Sequence, residues 1–181
     1  MSRIPLVDPA AAAPASKGLL DSITQAFGST PNMFRAVANA PAALQSMWGA
    51  FAALGGGVVG ARLGEQIAVA VADRNGCDYC LAAHTALGRS AGLSADAMRA
   101  AQSGESDDPG TAAALRFALK LVDARGRADA ADLAALREAG FDDEHIVEIL
   151  AHVALNLFTN YVNLAFAVPL DFAPVRLRHA A

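Results

Sequence analysis

The chain has 181 residues, of which 54% are hydrophobic and 18% are charged, and its formal net charge is −4. This length supports one domain with a proper core, and the composition argues against extensive disorder. The arginines are scattered rather than clustered, so the sequence offers no electrostatic footprint for nucleic acid. We therefore expect a compact domain without a nucleic-acid partner.

Residues 1–16 are predicted to form a flexible N-terminal arm, followed by a single domain over residues 17–181. Pro5, Pro9 and Pro14 disfavour a helix in the arm. The segment also lacks the apolar stretch of a secretory signal. These features predict a cytoplasmic protein, in which a lone cysteine pair is more often catalytic or metal-binding than structural.

The domain is predicted to be all-α. Apolar residues recur at three- and four-residue spacing nearly everywhere, whereas alternating runs rich in β-branched residues are nearly missing. Nine helices are predicted, over Lys17–Phe27, Met33–Ala38, Pro41–Leu54, Arg62–Arg74, Asp78–Ala91, Ala95–Gln102, Thr111–Ala124, Ala130–Ala139 and Asp143–Phe166.

The most apolar stretch, Ile146–Leu170, is long enough to cross a membrane. It nevertheless carries several polar side chains, which a membrane helix rarely tolerates, so we interpret it as a buried helix of a soluble protein or oligomer without a membrane partner. Four of these positions recur every four residues: Glu148, His152, Asn156 and Asn160. They predict either a solvated face or a polar row in a subunit interface or near the thiols.

Both cysteines of the chain lie in the motif Cys77-Asp78-Tyr79-Cys80. Asn75-Gly76 is predicted to end one helix, which places Cys77 at or near the N-cap of the next and Cys80 in its first turn. Unpaired N–H groups and the helix dipole stabilise a thiolate at such a position. His84, one turn after Cys80, could accept the thiol proton. The pattern indicates a dithiol that cycles between thiol and disulfide.

Other uses of a cysteine pair fit less well. A structural zinc site needs four ligands, and this motif with His84 supplies three at most. Haem attachment requires His directly after the second cysteine, where this chain has Leu81, and a thioredoxin fold would place a strand before the motif. A stabilising cross-link would close too short a loop to remove much unfolded-state entropy. Zinc and the cross-link stay open as less favoured alternatives.

Glu65, followed twelve positions later by the cysteine motif and then by His84, resembles the signature of the AhpD-like alkylhydroperoxidases within the carboxymuconolactone decarboxylase superfamily. Residues 30–35, Asn39-Ala40-Pro41 and Tyr161-Val162-Asn163 resemble its peroxidase-related subgroup. The resemblance covers the chain from about residue 28 to 166. It implies an AhpD-like helical fold and a homo-oligomer, either a trimer or a hexamer.

The resemblance also implies a role for each site residue. Cys80 would be the peroxidatic thiol and Cys77 the resolving one, while Glu65 and His84 would form the proton relay that deprotonates Cys80. The substrate would be a hydroperoxide, and an external dithiol, lipoyl-type or from a thioredoxin-like protein, would reopen the disulfide. No cofactor or metal would be needed. We expect Cys80 to be the deeper thiol and Cys77 to be more exposed, where it can meet the reductant.

Several alternatives stay open at the level of the sequence. Glu65 could be an ordinary exposed glutamate near a helix start, favoured there by the helix dipole. Tyr79 stands where the best-characterised branch of the family has a second histidine, and a tyrosine will not act as a base near neutral pH. The chain could instead be a non-enzymatic redox sensor or binding module. A lactone decarboxylase is a further candidate, although that branch does not rely on a cysteine pair.

Overall fold

The computed structural model describes residues 2–178, and within them the chain forms nine α-helices and no β-strand, so the predicted all-α fold is confirmed. A short 3-10 turn over Pro9–Ala11 precedes the helices. The helices are α1 Pro14–Phe27, α2 Asn32–Val37, α3 Pro41–Leu54, α4 Gly60–Arg74, α5 Asp78–Ser90, α6 Ala95–Gln102, α7 Pro109–Asp123, α8 Ala130–Glu138 and α9 Asp143–Phe166.

The largest differences from the predicted bounds lie at helix starts. Helix α1 begins at Pro14 rather than Lys17, and α7 begins at Pro109 rather than Thr111. Proline suits the first turn of a helix, because its missing N–H would have no partner there and its φ is already helical. Both predicted starts are therefore too late, since each leaves a helix-starting proline outside its helix.

Helix α4 is the central element of the domain. It contacts α5, α6, α7 and α9, and every residue from Gln66 to Asp73 is buried. Gly88 of α5 faces both α4 and α6: a Cβ at this position would lie 3.4 Å from the Cβ of Glu65, an ordinary contact, and 2.5 Å from the Cε of Met98. This packing brings the Glu65 turn of α4 next to α5.

Helix α9 is, among residues 2–178, the one helix long and apolar enough to span a membrane by length and composition alone. It contacts α2, α3, α4, α5 and α7, as the core helix of a globular domain does. Its inner face also buries polar side chains, namely Asn156, Thr159, Asn160 and Asn163. The inner face of this stretch is buried, as the sequence interpretation expects, whereas several apolar side chains of its outer face are exposed.

The N-terminal segment lies along the domain. The backbone N–H of Arg3 donates to Phe166 O at 2.7 Å, and the N–H of Val7 donates to Arg35 O at 3.1 Å. The buried hydroxyl of Ser16 donates to the carbonyl of Ala38. These contacts tie the segment to α2 and to the end of α9, while its flexibility and a domain boundary at residue 17 stay predictions.

Candidate active site

The two cysteines lie at the N-terminus of α5, as their spacing predicts. The turn before them closes at Gly76, whose φ of 68° favours glycine. Cys77 is the N-cap residue, and its Sγ accepts the backbone N–H of Cys80 at 3.3 Å. The two sulfur atoms are 2.8 Å apart, and both residues are free thiols.

Cys80 is the more acidic of the two thiols. Burial raises its pKa, but the hydrogen bond from the Cys77 thiol, the positive charge of His84 and the amide of Asn163 outweigh burial and lower the pKa to about 7. The Nδ2 of Asn163 donates to Cys80 Sγ at 3.1 Å. A substantial fraction of Cys80 is therefore thiolate at neutral pH.

Cys77 behaves in the opposite way. Its hydrogen bond to Cys80 and its burial hold the pKa of this thiol far above the usual range, so it stays protonated. Its side chain is fully buried, at 0% exposure against 2% for Cys80. The expectation that Cys77 is the more exposed thiol is therefore wrong. The reason lies in its capping role, which directs the sulfur toward the N–H of Cys80 instead of toward solvent.

Glu65 and His84 form a direct pair between α4 and α5. His84 Nδ1 lies 2.7 Å from Glu65 Oε2, and the two side chains are only 12% and 20% exposed. Burial lowers the pKa of His84, but the charge and hydrogen bond of Glu65 together with the negative charge of Cys80 outweigh burial and raise the pKa, which favours the cationic imidazole. Glu65 is thus a partner of His84 and not a solvated first-turn glutamate.

Two asparagines of α9 complete the surroundings of Cys80. Sequence reasoning assigned no role to Asn163, although this residue lies in one of the segments that resemble the peroxidase-related subgroup. Asn160 is fully buried, its Oδ1 accepts from Asn75 Nδ2 at 2.8 Å, and its amide also lowers the pKa of Cys80. The sequence signal that could have identified these two residues is the presence of polar side chains in an apolar helix, because a buried amide needs a hydrogen-bond partner.

An apolar pocket opens in front of Cys80. Cys80 and His84 contribute the reactive groups, and the rest of the lining is mostly aromatic and aliphatic. The other lining residues are Phe27, Pro31, Met33, Phe34, Phe51, Tyr79, Ala83, Leu87, Thr159 and Phe172. Such a lining suits a small molecule with an apolar body and one polar reacting group.

Tyr79 links α5 to two other segments that border this pocket. Its hydroxyl donates to Asp171 Oδ2 at 2.5 Å and accepts the N–H of Met33 at 3.3 Å. Its ring meets that of Phe172 edge-on, with centroids 6.2 Å apart. Burial and the Asp171 carboxylate raise the pKa of Tyr79, so its phenol stays protonated. The residue is a structural anchor beside the reactive thiol.

A metal centre finds no support in the side-chain arrangement. Across residues 2–178, no group of three or more His, Cys, Asp or Glu side chains is placed to hold a metal ion. The zinc alternative therefore lacks a ligand cluster in this part of the chain.

The sequence of the chain matches a known protein family. The profile of the carboxymuconolactone decarboxylase family matches residues 38–124, a range that contains Glu65, the cysteine motif and His84. No curated protein matches the chain by sequence.

Solved structures similar to this chain extend over nearly its whole length. An uncharacterised peroxidase-related protein of Ralstonia eutropha JMP134, with an alkylhydroperoxidase AhpD core, superposes with a TM-score of 0.83 at 28% identity, covering 94% of this chain and 92% of that one. A peroxidase-related protein of Silicibacter sp. TM1040 gives a TM-score of 0.80 at 25% identity, with coverage of 96% and 92%.

A third similar structure shows that the fold serves other reactions. The debrominase Bmp8, in its C82A form with 2,3,4-tribromopyrrole, has a TM-score of 0.79 at 22% identity, covering 94% of each chain. At this identity the likeness concerns the fold alone.

Proposed function

Since the chain is an AhpD-like member of the carboxymuconolactone decarboxylase superfamily, we propose that it is an enzyme, a thiol-dependent hydroperoxide reductase of the alkylhydroperoxidase type. The fold alone does not select this reaction. The observation that carries the proposal is a buried Cys80 that lines an apolar pocket and is hydrogen-bonded by Cys77 and Asn163, contacts that lower its pKa.

In the first step the Cys80 thiolate attacks the distal oxygen of a hydroperoxide, ROOH. The O–O bond breaks, Cys80 is oxidised to a sulfenic acid, and the leaving alkoxide takes a proton to give ROH. The positively charged His84, held by Glu65, supplies that proton. His84 thus has two roles. Its positive charge first stabilises the Cys80 thiolate, and it then acts as the acid that protonates the leaving alkoxide.

In the second step Cys77 attacks the Cys80 sulfenic acid. A disulfide forms and hydroxide leaves as water with the proton of the Cys77 thiol. The sulfur atoms are already 2.8 Å apart, so this step needs little motion of the chain. The assignment of Cys80 as peroxidatic and Cys77 as resolving follows the difference in their pKa, because only Cys80 is a thiolate near neutral pH.

An external dithiol completes the cycle by reducing the disulfide, with its own two sulfurs becoming oxidised. The cycle needs no bound cofactor or metal. Since Cys77 is buried and Cys80 borders the pocket, a slender lipoyl-type dithiol fits the site better than a thioredoxin-like protein. The protein would act in the cytoplasm, where such reductants are maintained.

We further propose that the protein works as a homo-oligomer, a trimer or a hexamer. The outer face of α9 supports this, since Val147, Leu150, Tyr161 and Leu164 are 68%, 48%, 60% and 39% exposed. Contiguous exposed apolar side chains favour association. Light scattering of the purified chain measures the assembly, and a monomer at all concentrations would contradict this part of the proposal.

A hydroperoxide-consumption assay with dihydrolipoamide as donor tests the activity. The wild type and the control Thr85→Ser, which changes a neighbouring side chain on α5, should turn over cumene hydroperoxide, whereas Cys80→Ser should not. Turnover that survives Cys80→Ser would refute the mechanism. Negligible wild-type turnover, combined with an oxidation-dependent change of assembly, would instead favour a redox sensor. Lactone decarboxylation retained in Cys80→Ser would favour the decarboxylase alternative.

A further inference from the structure

Side chains of the Glu65–His84 pair line two cavities of the domain. The first is the apolar pocket, which His84 and Cys80 share. The second is lined by both Glu65 and His84, but not by Cys80. The imidazole of His84 thus borders the reactive thiol through one cavity and a separate space through the other.

The remaining titratable side chain in the lining of the second cavity is His152 of α9. Its side chain is 14% exposed, and its Nε2 is buried with no hydrogen-bond partner. Glu148, one turn earlier on α9, has its Oε1 3.8 Å from this nitrogen, beyond hydrogen-bond distance. Glu148 is itself occupied, since it accepts the N–H groups of Val58 and Val59 at 2.9 and 2.8 Å.

The charge environment of His152 keeps its imidazole neutral. Burial lowers its pKa and the nearby cationic His84 acts in the same direction, while Glu148 and Glu65 oppose them with a smaller effect. A neutral imidazole with a free buried nitrogen can accept or pass on a proton.

Glycines leave room beside this imidazole. Gly55, Gly60 and Gly64 all line the second cavity. A Cβ at Gly64 would lie only 3.1 Å from His152 Cε1, so glycine leaves the ring in place next to the Glu65 turn of α4. A cavity bordered by one carboxylate and two imidazoles has the polar groups that a bridging water needs.

We propose that His152 is the solvent-side member of the proton relay. It exchanges protons between solvent and the Glu65–His84 pair through water in the second cavity. The inference rests on the proposed function. Each attack of the Cys80 thiolate on ROOH consumes one proton, and each reduction that returns Cys80 as a thiolate releases one. These two events occur at different steps of the cycle, and Glu65 and His84 are largely buried, so a proton path lets the pair be protonated again while the disulfide is present. His152 lines the cavity of the pair that Cys80 does not line. It acts through His84 and is therefore a positioning and proton-transfer residue.

Two substitutions at this position separate proton transfer from a structural role. In His152→Ala, kcat for cumene hydroperoxide should fall by roughly ten-fold or more, less than the 10²–10⁴ that a direct acid–base group contributes. Added imidazole should restore kcat with saturation, since the truncated side chain leaves space for a small base. In His152→Gln, kcat should fall similarly, but imidazole should not restore it because the amide still fills the space.

A second histidine of α9, His145, provides a matched control. His145→Ala removes a histidine of the same helix at its start, where the imidazole pairs with Asp142, and should behave as wild type. Unchanged kcat in both His152 variants, or loss that imidazole restores in neither, would overturn the inference while leaving the proposed function intact. Equal acceleration of wild type and variants by imidazole would also overturn it. Absent turnover in the wild type would overturn the proposed function, and this inference with it.

Discussion

The Nδ2 of Asn163 donates a hydrogen bond to Cys80 Sγ at 3.1 Å, joining the end of α9 to the start of α5. The same amide group donates to the carbonyl of Thr159 at 3.0 Å, which fixes its orientation. A donor held in this position favours the charged thiolate over the neutral thiol. The acidity of Cys80 therefore depends on a residue 83 positions away as well as on its own helix.

Substituting Asn163→Leu should raise the pKa of Cys80. A hydrogen bond to a charged group contributes about 1.5–3 kcal/mol. At a pH below the pKa of Cys80, its loss should therefore lower the fraction of Cys80 present as thiolate by roughly ten-fold or more. The rate of iodoacetamide alkylation against pH measures the change. Asn156→Leu is the matched control, because that amide donates to His152 O and not to sulfur. Identical alkylation midpoints for Asn163→Leu and wild type would show that Asn163 does not control the pKa of Cys80.

The charge of Glu65 should control the same titration through His84. Without the carboxylate, burial prevails and the pKa of His84 falls. The neutral imidazole no longer lowers the pKa of Cys80, so in Glu65→Gln the alkylation midpoint should move upward from about pH 7. At a pH below both midpoints, the variant should react more slowly than wild type, by about ten-fold if its midpoint lies one pH unit higher. Well above both midpoints the two rates should converge.

The exposed control Glu144→Gln should leave the alkylation midpoint of Cys80 unchanged. A downward movement of the midpoint in Glu65→Gln would contradict the relay.

Tyr79→Phe should affect stability more than thiol chemistry. The change removes the hydrogen bond to Asp171 and leaves the N–H of Met33 without its acceptor. An unsatisfied buried donor costs about 1–3 kcal/mol, or roughly 2–4 °C in Tm per kcal/mol for a domain of this size. Differential scanning calorimetry measures the loss, and alkylation should show an unchanged Cys80 midpoint. A large change of that midpoint with unchanged Tm would give Tyr79 a direct role in the thiol chemistry.

The apolar pocket should set the size of the preferred hydroperoxide. Ala83 is 9% exposed and lines the pocket with Cys80, so Ala83→Leu should fill part of its volume. We expect kcat/KM for cumene hydroperoxide to fall by roughly ten-fold relative to that for hydrogen peroxide. Hydrogen peroxide serves as the internal control, because it needs little of the pocket. An equal loss for both substrates would indicate damage to the thiol site and contradict substrate binding in this pocket.

Relations within one helix were predictable from the sequence. Cys77, Cys80 and His84 lie within eight consecutive residues, and helix geometry alone sets their relative positions once Gly76 marks the start. The N-cap position of Cys77 was predicted in this way and is observed. Its burial was not predicted, because exposure depends on which other segments cover the turn.

Relations between helices were less accessible. The contact of Glu65 with His84 depends on the packing of α4 against α5, which spacing does not reveal, and it was expected only from the family resemblance. The polar residues of α9 indicated buried amides that need partners. The identity of the partner, a sulfur atom on α5 for Asn163, required the folded arrangement.

Trapping the sulfenic acid tests the central claim most directly. Reduced Cys77→Ser protein is treated with one equivalent of cumene hydroperoxide in the presence of dimedone, and the labelled residue is identified by mass spectrometry. We predict dimedone on Cys80 in this variant and, in the wild type, a Cys77–Cys80 disulfide with little label. Absence of label on Cys80 while the hydroperoxide is still consumed would contradict the account.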